Sequence, residues 1–551
     1  MRYLSYIAYS VITIFLFQSC SLDEENNRYP TGDTYYKTEK GATELVNSAY
    51  TQLRSIYNAS AWYLWELGTD IWQNGVPGSP SVFGTYEMQP SDSRLKGVWD
   101  ACYLGIASCN ALIDRTDVIE ANQDVINDLK GQALFLRAYY YYLLITQWGD
   151  VPLQLNELKT PQTEFYRESA EKVLGQIYID LEEAQHILPD EPTVFGRADK
   201  AAAQALLARV YLYGGEYAFA AEYAKKVIPS PLGTSTYKNK LLDDFAAIWD
   251  ADNQNNDEVL FSVQYSTQTA LNGSGNSANF LFLGRYDEYG KTWGMVRDIA
   301  NGRPYRHLMP TRYLLNLLNE SKDWDGRYDK SWTTVWYVND LDKTTDNPGA
   351  AIGDTALFVP PYEVSAEQKA WAADKYRIYD IDDYFDANSP NGEETKGVRE
   401  MYPSLRKFDD PRRASVNVTS TKDVIVLRMG EVYLIAAEAL LMDNKGDEGV
   451  KFINELRKRA AKDNAAYEAN KLSASDLTID RILEERALEL AGECVGRWTD
   501  LKRTGKLIER VKQYNPDTRN TLQDKHLLRP IPQDMMDRVS NKDTFKQNPE
   551  Y

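Results

Sequence analysis

The chain has 551 residues, of which 43% are hydrophobic and 26% charged, and its formal net charge is -19. A chain of this length can bury a large core, and repeat folds extend a single unit further. Because a strongly negative protein repels polyanions, a role in binding nucleic acid is not expected. The three histidines, His186, His307 and His526, show no metal-ligand spacing, so neither a metal nor another cofactor is expected.

Residues 1–20 are typical of a bacterial secretory signal. Arg2 precedes an apolar run from Ile7 to Phe17 that is too short to span a bilayer as a mature helix. The run ends in Ser19-Cys20 and resembles a lipoprotein signal, which predicts that Cys20 is lipidated and anchors the mature chain. Residues 21–36 are interpreted as an acidic tether, whose first residues also resemble a surface-export signal of Bacteroidetes lipoproteins. The alternative is plain secretion with an incidental cysteine.

Helical periodicity organises the first part of the mature chain. Apolar residues recur about every 3.6 positions, which predicts amphipathic helices. These helices cover residues 39–57, 95–114, 123–147 and 168–188. Residues 61–94 lie between the first two helices and contain several glycines and prolines, so we interpret most of them as an exposed loop system.

Residues 197–228 predict the unit on which the fold is built. Two apolar stripes with helical spacing, one on each side of Gly214-Gly215, indicate two antiparallel helices joined by a tight turn. Ala208 and Ala220 lie where the two backbones come closest, as in a tetratricopeptide (TPR) hairpin. Since such a hairpin cannot bury its stripes alone, stacked neighbours of the same kind are expected.

A second unit of this kind is predicted in the C-terminal half. Residues 428–441 and 449–460 repeat the offsets of the first hairpin, and a further helix spans residues 481–493. Residues 256–265 alternate like a short strand, and the irregular stretch from 266 to 425 is interpreted as loop insertions that carry function. The sequence therefore favours an all-α, TPR-like repeat scaffold with long irregular loops and a few short strands.

Some chemically suggestive residues are interpreted as structural. Cys102 and Cys109 are separated by roughly 10 Å along one helix, too far for a disulfide, so stability must depend on packing. The charged residues of the segment 484–503 suit ion pairs that fix the docking of the C-terminal helix better than an acid/base cluster. Arg137 and the run Tyr139–Tyr142 are expected in the core or at an interface.

Several motifs are spread over nearly the whole mature chain. They are ALFLRAYYYYLLITQWGDVPL, GRADKAAAQALLARVYLY, LRMGEVYLIAAEAL, INELRKRA, ILEERALELAGECVGRWTDLKRTGKL, RPIP and QNPEY. In this order they resemble the SusD/RagB family of outer-membrane nutrient-binding lipoproteins. The resemblance implies an N-terminal SusD-like region with TPR helices, residues 37–255, and a loop-rich C-terminal SusD/RagB region, residues 256–551.

The function that the resemblance implies is glycan uptake. The protein would be lipid-anchored in the outer membrane through Cys20, exposed at the cell surface, and would cover a SusC-type TonB-dependent transporter. It would capture oligosaccharides or polysaccharides for import without catalysis, and some members of the family capture peptides instead. Two alternatives stay open. A glycoside hydrolase needs two carboxylates roughly 5 to 9.5 Å apart, which the sequence does not identify, and a protein-binding TPR scaffold would have no small ligand.

Candidate ligand-binding residues follow from the chemistry of sugars. Apolar pyranose faces lie flat on aromatic rings, while ring hydroxyls need polar side chains. Two predicted loops combine both, residues 68–74 and 289–306, and by resemblance the first lies roughly where starch-binding members place a ligand aromatic. The candidates are Asp70, Trp72, Asn74, Trp293, Arg297, Tyr305 and Arg306.

Two further patterns are interpreted as ordinary structure. Trp324, Trp332 and Trp336 have the spacing of a packed helix or strand edge. The acidic stretch that begins at Tyr379 has a passing likeness to a calcium loop, but Phe385 stands where such a loop needs glycine, so a solvated loop is favoured.

Overall fold

The computed structural model describes residues 32–76, 81–273, 275–386, 388–389, 399–494 and 496–551. The predicted signal segment with Cys20 and the tether up to residue 31 lie outside these described residues. None of the helices within these ranges is both long enough and apolar enough to cross a membrane.

Helices dominate the described residues, and the strands among them are short. The α-helices are α1 Gly32–Tyr35, α2 Glu39–Ile56, α3 Ser60–Trp65, α4 Ser81–Gly84, α5 Ser93–Ile113, α6 Gln123–Trp148, α7 Ala170–Ile187, α8 Lys200–Gly214, α9 Tyr217–Val227, α10 Ala278–Leu281, α11 Tyr286–Tyr289, α12 Arg312–Ser321, α13 Arg327–Ser331, α14 Ala366–Ala372, α15 Ile381–Tyr384, α16 Met429–Met442, α17 Gly446–Ala460, α18 Asn464–Asn470, α19 Ile479–Glu489, α20 Arg497–Arg503, α21 Leu507–Tyr514 and α22 Gln533–Arg538. The strands are β1 Trp72–Asn74, β2 Val151–Pro152, β3 Arg167–Glu168, β4 Val259–Val263, β5 Leu308–Pro310, β6 Trp332–Thr333, β7 Val335–Tyr337, β8 Thr355–Phe358, β9 Arg377–Ile378, β10 Ser404–Leu405 and β11 Val424–Arg428.

The scaffold is a row of helix pairs. Helices α2 and α5, α6 and α7, α8 and α9, and α16 and α17 form the pairs, and each pair packs on the next in that order. Because each pair covers an apolar face of its neighbour, the row encloses one continuous core. The prediction of an all-α repeat scaffold is confirmed, and the chain leaves the row between α9 and α16 to form the irregular insertion.

The hairpin at residues 200–227 forms as its sequence predicts. The side chain of Asp199 caps α8 by accepting a hydrogen bond from the backbone N–H of Ala202 at 2.8 Å. Gly215 ends the helix in the left-handed region, with φ of 79°. Ala208 and Ala220 are fully buried, which allows the two backbones to approach closely.

Two glycine substitutions should have opposite effects on stability. Gly175 lies inside α7, where an added Cβ would meet no atom within 4 Å, so Gly175→Ala should raise the free energy of unfolding by about 0.5–1 kcal/mol. Gly215→Ala also meets no atom, but its backbone has positive φ, so it should lower that free energy by about 1–2 kcal/mol. Urea denaturation would measure both, and shifts of the same sign would contradict this account.

Helix α6 confirms the structural interpretation of Arg137 and the tyrosine run. Tyr139, Tyr140, Tyr141 and Tyr142 are all buried. The Arg137 guanidinium donates to both carboxylate oxygens of Asp180 in α7, at 2.8 and 2.7 Å. The ion pair thus joins the two helices of one pair inside the core.

The predicted ion pairs of the C-terminal helices are also present. Asp500 accepts hydrogen bonds from Arg486 at 2.6 Å and from Arg503 at 2.8 Å, which joins α19 to α20. Glu485 pairs with Arg327 at 2.6 Å and with Arg457 at 2.8 Å. Cys102, Cys109 and Cys494 are free and buried, as the helix spacing of the first two requires.

Two of the loop interpretations are wrong in part. Part of the segment 61–94 is buried core, because α3 inserts the rings of Trp62, Tyr63 and Trp65. The acidic stretch from Tyr379 runs on to residue 394, and its residues 387 and 390–394 lie outside the described residues. In its described part Asp380 is fully buried, where it accepts the backbone N–H of Val364 at 2.7 Å and pairs with Lys369. The tryptophans Trp332 and Trp336 are buried in β6 and β7, as their spacing predicts.

Candidate functional site

The first candidate segment, residues 68–74, is not an exposed loop, and that prediction is wrong. Asp70 and Trp72 have no exposed surface and Asn74 is 3% exposed. Residues 72–74 form β1, which pairs antiparallel with β5. The Trp72 ring lies 5.9 Å from that of Trp332 and 4.8 Å from that of Phe282. In this conformation neither the indole nor the carboxylate is open to a ligand.

Asp70 instead holds the C-terminal helices to the N-terminal body. Arg497 donates to its two carboxylate oxygens at 2.8 and 2.6 Å, and Arg510 donates to one of them at 2.9 Å. Burial alone would raise the pKa of Asp70, but the two guanidinium groups hold it below its usual value. The Asp70 side chain, predicted to bind a sugar, is therefore a buried carboxylate that stabilises the fold.

The second candidate segment, residues 289–306, does border a concave surface. Trp293 lines it, with 8% of the residue exposed. Arg297 is exposed and pairs with Asp287. Tyr305 is half-buried, with its ring 4.7 Å from that of Phe280, and Arg306 pairs with Glu400 at 2.8 Å. Of these four residues, Trp293 alone lines the cavity itself.

The cavity beside Trp293 is an open depression of about 520 Å³. Its wall comes from three stretches that are far apart in the sequence, near residues 285–293, at residue 346 and at residues 377–379. The lining residues are Arg285, Glu288, Tyr289, Lys291, Thr292, Trp293, Asp346, Arg377 and Tyr379. We call it the Trp293 depression. It combines three aromatic side chains with charged groups of both signs.

Its aromatic residues are held in fixed positions. The rings of Tyr289 and Tyr379 meet edge to face at 5.4 Å, and the Arg377 guanidinium lies 5.0 Å from the Tyr379 ring. Burial raises the pKa of both tyrosines, so their phenol groups stay protonated at neutral pH. The Tyr289 phenol can therefore donate a hydrogen bond to a ligand hydroxyl, whereas the Tyr379 phenol donates to the carbonyl of Tyr289 at 3.5 Å and can accept one.

Glycines and backbone hydrogen bonds fix the Trp293 loop. The N–H of Trp293 donates to the carbonyl of Gly290 at 2.9 Å, and the N–H of Gly294 donates to that of Lys343 at 2.8 Å. Gly294 has φ of 88°, which a side chain would strain. The N–H of Asp346 donates to the carbonyl of Thr292 at 2.9 Å, which brings this acid to the depression.

An ionic clamp lies next to the depression. The two carboxylate oxygens of Glu400 accept one hydrogen bond each, from Arg285 and from Arg306, both at 2.8 Å. Arg306 has φ of 59°, an uncommon conformation for a residue with a side chain, and its Nε has no acceptor among the described residues. The carbonyl of Arg306 lies so close to Gly75 that a Cβ at that position would collide with it. The clamp thus fixes Arg285 at the edge of the depression.

A second polar depression, of about 610 Å³, lies between α2 and α5 but suits a sugar less well. Its one lining aromatic is Tyr63, which is 4% exposed. The Arg94 guanidinium lies 4.8 Å from that ring, and the phenol is hydrogen-bonded to His307 at 2.7 Å. Since this ring is almost fully buried, whereas Tyr289 and Tyr379 are half-buried, the Trp293 depression is the stronger candidate.

Sequence reasoning found Trp293 but missed most of the wall. Tyr289 lies at the first position of the nominated segment, whereas Asp346, Arg377 and Tyr379 come from parts of the insertion that showed no periodicity. The only available signal was the run of aromatic and basic residues from 376 to 379. That signal does not indicate which other segment it contacts.

Two family models match the chain. A model described as "Starch-binding associating with outer membrane" matches residues 23–212. A model described as the SusD family matches residues 257–551, which is more than half of the chain.

Curated relatives share the sequence over most or part of its length. The SusD-like protein P2 of Formosa agariphila is 27% identical over 526 residues, which cover 90% of this chain and 89% of that protein. The starch-binding protein SusD of Bacteroides thetaiotaomicron is 29% identical over 215 residues, 36% of this chain and 35% of that protein.

Solved structures share the fold over nearly the whole chain. A laminarin-binding SusD-like protein has a TM-score of 0.65 at 23% identity, with 94% of this chain and 100% of that chain covered. A SusD homologue from Bacteroides thetaiotaomicron has a TM-score of 0.72 at 21% identity, with 94% and 98% covered. At these identities the likeness shows the fold alone.

Proposed function

Because the chain belongs to the SusD family, we propose that it is a cell-surface lipoprotein that binds an oligosaccharide or polysaccharide in the Trp293 depression. It delivers this ligand to a SusC-type TonB-dependent transporter in the outer membrane. Lipidation of Cys20, outside the described residues, provides the anchor. The description of the N-terminal family model, starch-binding in association with the outer membrane, supports both the ligand class and the location.

One observation carries the proposal, namely the composition of the Trp293 depression. Flat aromatic faces from Tyr289 and Tyr379 stand beside groups that can bind hydroxyls, among them Asp346 and Arg377. A sugar ring needs both kinds of surface at once. The depression is also open, so a long chain can lie in it without having its ends enclosed. Of the earlier ligand candidates, Trp293, Arg297, Tyr305 and Arg306 remain proposed as lining or supporting residues.

One of the lining carboxylates, Glu288, does not favour catalysis. A hydrolase needs one carboxyl group that stays protonated near neutral pH, to act as general acid. The hydrogen bond from Lys291 lowers the pKa of Glu288, so this lining carboxyl is held ionised instead. Binding without cleavage is the chemistry we propose.

A binding screen tests the proposal. The protein lacking residues 1–20 would be titrated with polysaccharides, including starch and laminarin, and with peptides, while reducing ends are assayed in parallel. We expect saturable binding of at least one polysaccharide and no release of reducing ends. Binding of peptides alone would favour the peptide-capturing alternative, and measurable turnover would favour a glycoside hydrolase.

A further inference from the structure

Trp371 is a large exposed aromatic residue that lies close in sequence to the wall of the Trp293 depression. It lies in the last turn of α14 and is 60% exposed. Six residues later, Arg377 lines the depression, so at most about 20 Å of chain separates the two. Helix α14 also packs on β9, which carries Arg377.

The position of Trp371 relative to the depression is fixed by packing and hydrogen bonds. Ala372 and Ile378 share a small core that is separate from the main one, and Tyr376 packs against it. The Asn347 side-chain amide donates to the carbonyl of Lys375, which joins this turn to the neighbour of Asp346. The turn that follows Trp371 and the wall of the depression are therefore parts of one packed unit.

Neighbouring residues restrict the position of the indole and place charged groups beside it. The Lys375 ammonium lies 4.4 Å from the ring centroid and donates to the carbonyl of Trp371 at 2.6 Å. The Tyr376 ring meets the indole edge to face at 6.2 Å. Asp374 next to them has a side chain that is 83% exposed. Ordering such a ring on ligand binding costs little entropy, because its position is already restricted.

We infer that Trp371 is a second stacking platform for the same glycan, so that one chain contacts both the Trp293 depression and this indole. The inference depends on the proposed function and adds to it a selection for long chains. A protein partner fits the surface less well, because protein hot spots lie within an apolar, water-excluding surround, whereas Trp371 is bordered by exposed charges. A single flat ring with a polar rim matches one pyranose face.

The test compares chain lengths. Starch and laminarin, with size-fractionated hydrolysates of each, would be titrated against the parent protein and Trp371→Ala. We expect the variant to lose roughly 3- to 10-fold in affinity for long chains and to bind the shortest binding fraction as the parent does. Trp371→Phe should recover part of the loss. The matched control is Tyr166→Ala, which removes a comparably exposed ring that is distant from Trp371 in the sequence.

Each other outcome overturns the inference in a recognisable way. Unchanged affinity for long chains in Trp371→Ala would remove the platform but leave the proposed function intact. An equal loss for short and long chains would mean that Trp371 shapes the depression and is no separate contact. If the parent protein binds neither polysaccharide nor any fraction of them, the inference and the glycan-binding proposal for these sugars fail together.

Discussion

Asp70→Asn should lower the free energy of unfolding by about 3–5 kcal/mol. The substitution keeps the size of the side chain but removes the charge that neutralises Arg497 and Arg510, which are 4% and 5% exposed. The Arg497 guanidinium would then be buried without a carboxylate partner and Arg510 would keep only Asp480, which is far more costly than the net value of the ion pair. Urea denaturation of the protein lacking residues 1–20 would measure the loss.

Asp480→Asn provides the matched control. Asp480 also accepts a hydrogen bond from Arg510, at 2.9 Å, but its side chain is 51% exposed. Water replaces the lost contact at such a site, so we expect a loss below about 1 kcal/mol. Equal losses for the two variants would contradict the claim that burial of Asp70 makes its charge important.

The Asp70 ion pair should also give a pH dependence. Despite burial, Arg497 and Arg510 keep the folded-state pKa of Asp70 below its unfolded value. Its stabilising contribution is therefore complete above an unfolded pKa of about 3.9 and is lost as the pH falls through the folded pKa. The stability difference between the parent and Asp70→Asn should shrink in acid, whereas a difference independent of pH would assign the effect to packing.

Buried charges of this kind connect distant parts of the chain, and their partners could not be predicted. Helical spacing correctly indicated that the charged residues of the C-terminal helices form ion pairs. It could not show that Arg497 pairs with Asp70, which lies more than 400 residues earlier, or that Arg428 pairs with Glu258 at 2.8 Å. Periodicity reports which face of a helix is buried, while the partner depends on how the faces are stacked.

The scaffold was predictable because its pattern is local in the sequence, and the site was not because its segment shows no such pattern. The helix pairs carry their apolar stripes in local sequence, so the bounds of α2, α6 and α8 follow from spacing and capping. The insertion has no such period. Trp72 and Trp293 looked alike as tryptophans among polar residues, yet Trp72 is fully buried against Phe282 and Trp293 borders a cavity. Only the tertiary contacts of each ring separate the two cases.

Tyr379→Ala should weaken binding of the glycan found in the screen by about 10- to 100-fold, since burying one aromatic side chain is worth about 1.5–3 kcal/mol. Trp293→Ala should weaken it similarly and should also lower the melting temperature, because most of that ring is packed in the protein. Isothermal titration calorimetry would measure the affinities, and thermal melts would show which part of each loss reflects folding.

The control for both variants is Tyr337→Ala. Tyr337 lies in β7 of the same small sheet as Arg377, is 55% exposed and does not line the depression. The Tyr337→Ala variant should bind the glycan as the parent does, because it removes a ring of the same kind from a place where no sugar is held. If Tyr379→Ala binds as tightly as Tyr337→Ala and both have the melting temperature of the parent, the ligand is held elsewhere. The larger polar depression between α2 and α5 would then be the next surface to test, since Arg94→Gln changes its charge without touching the Trp293 depression.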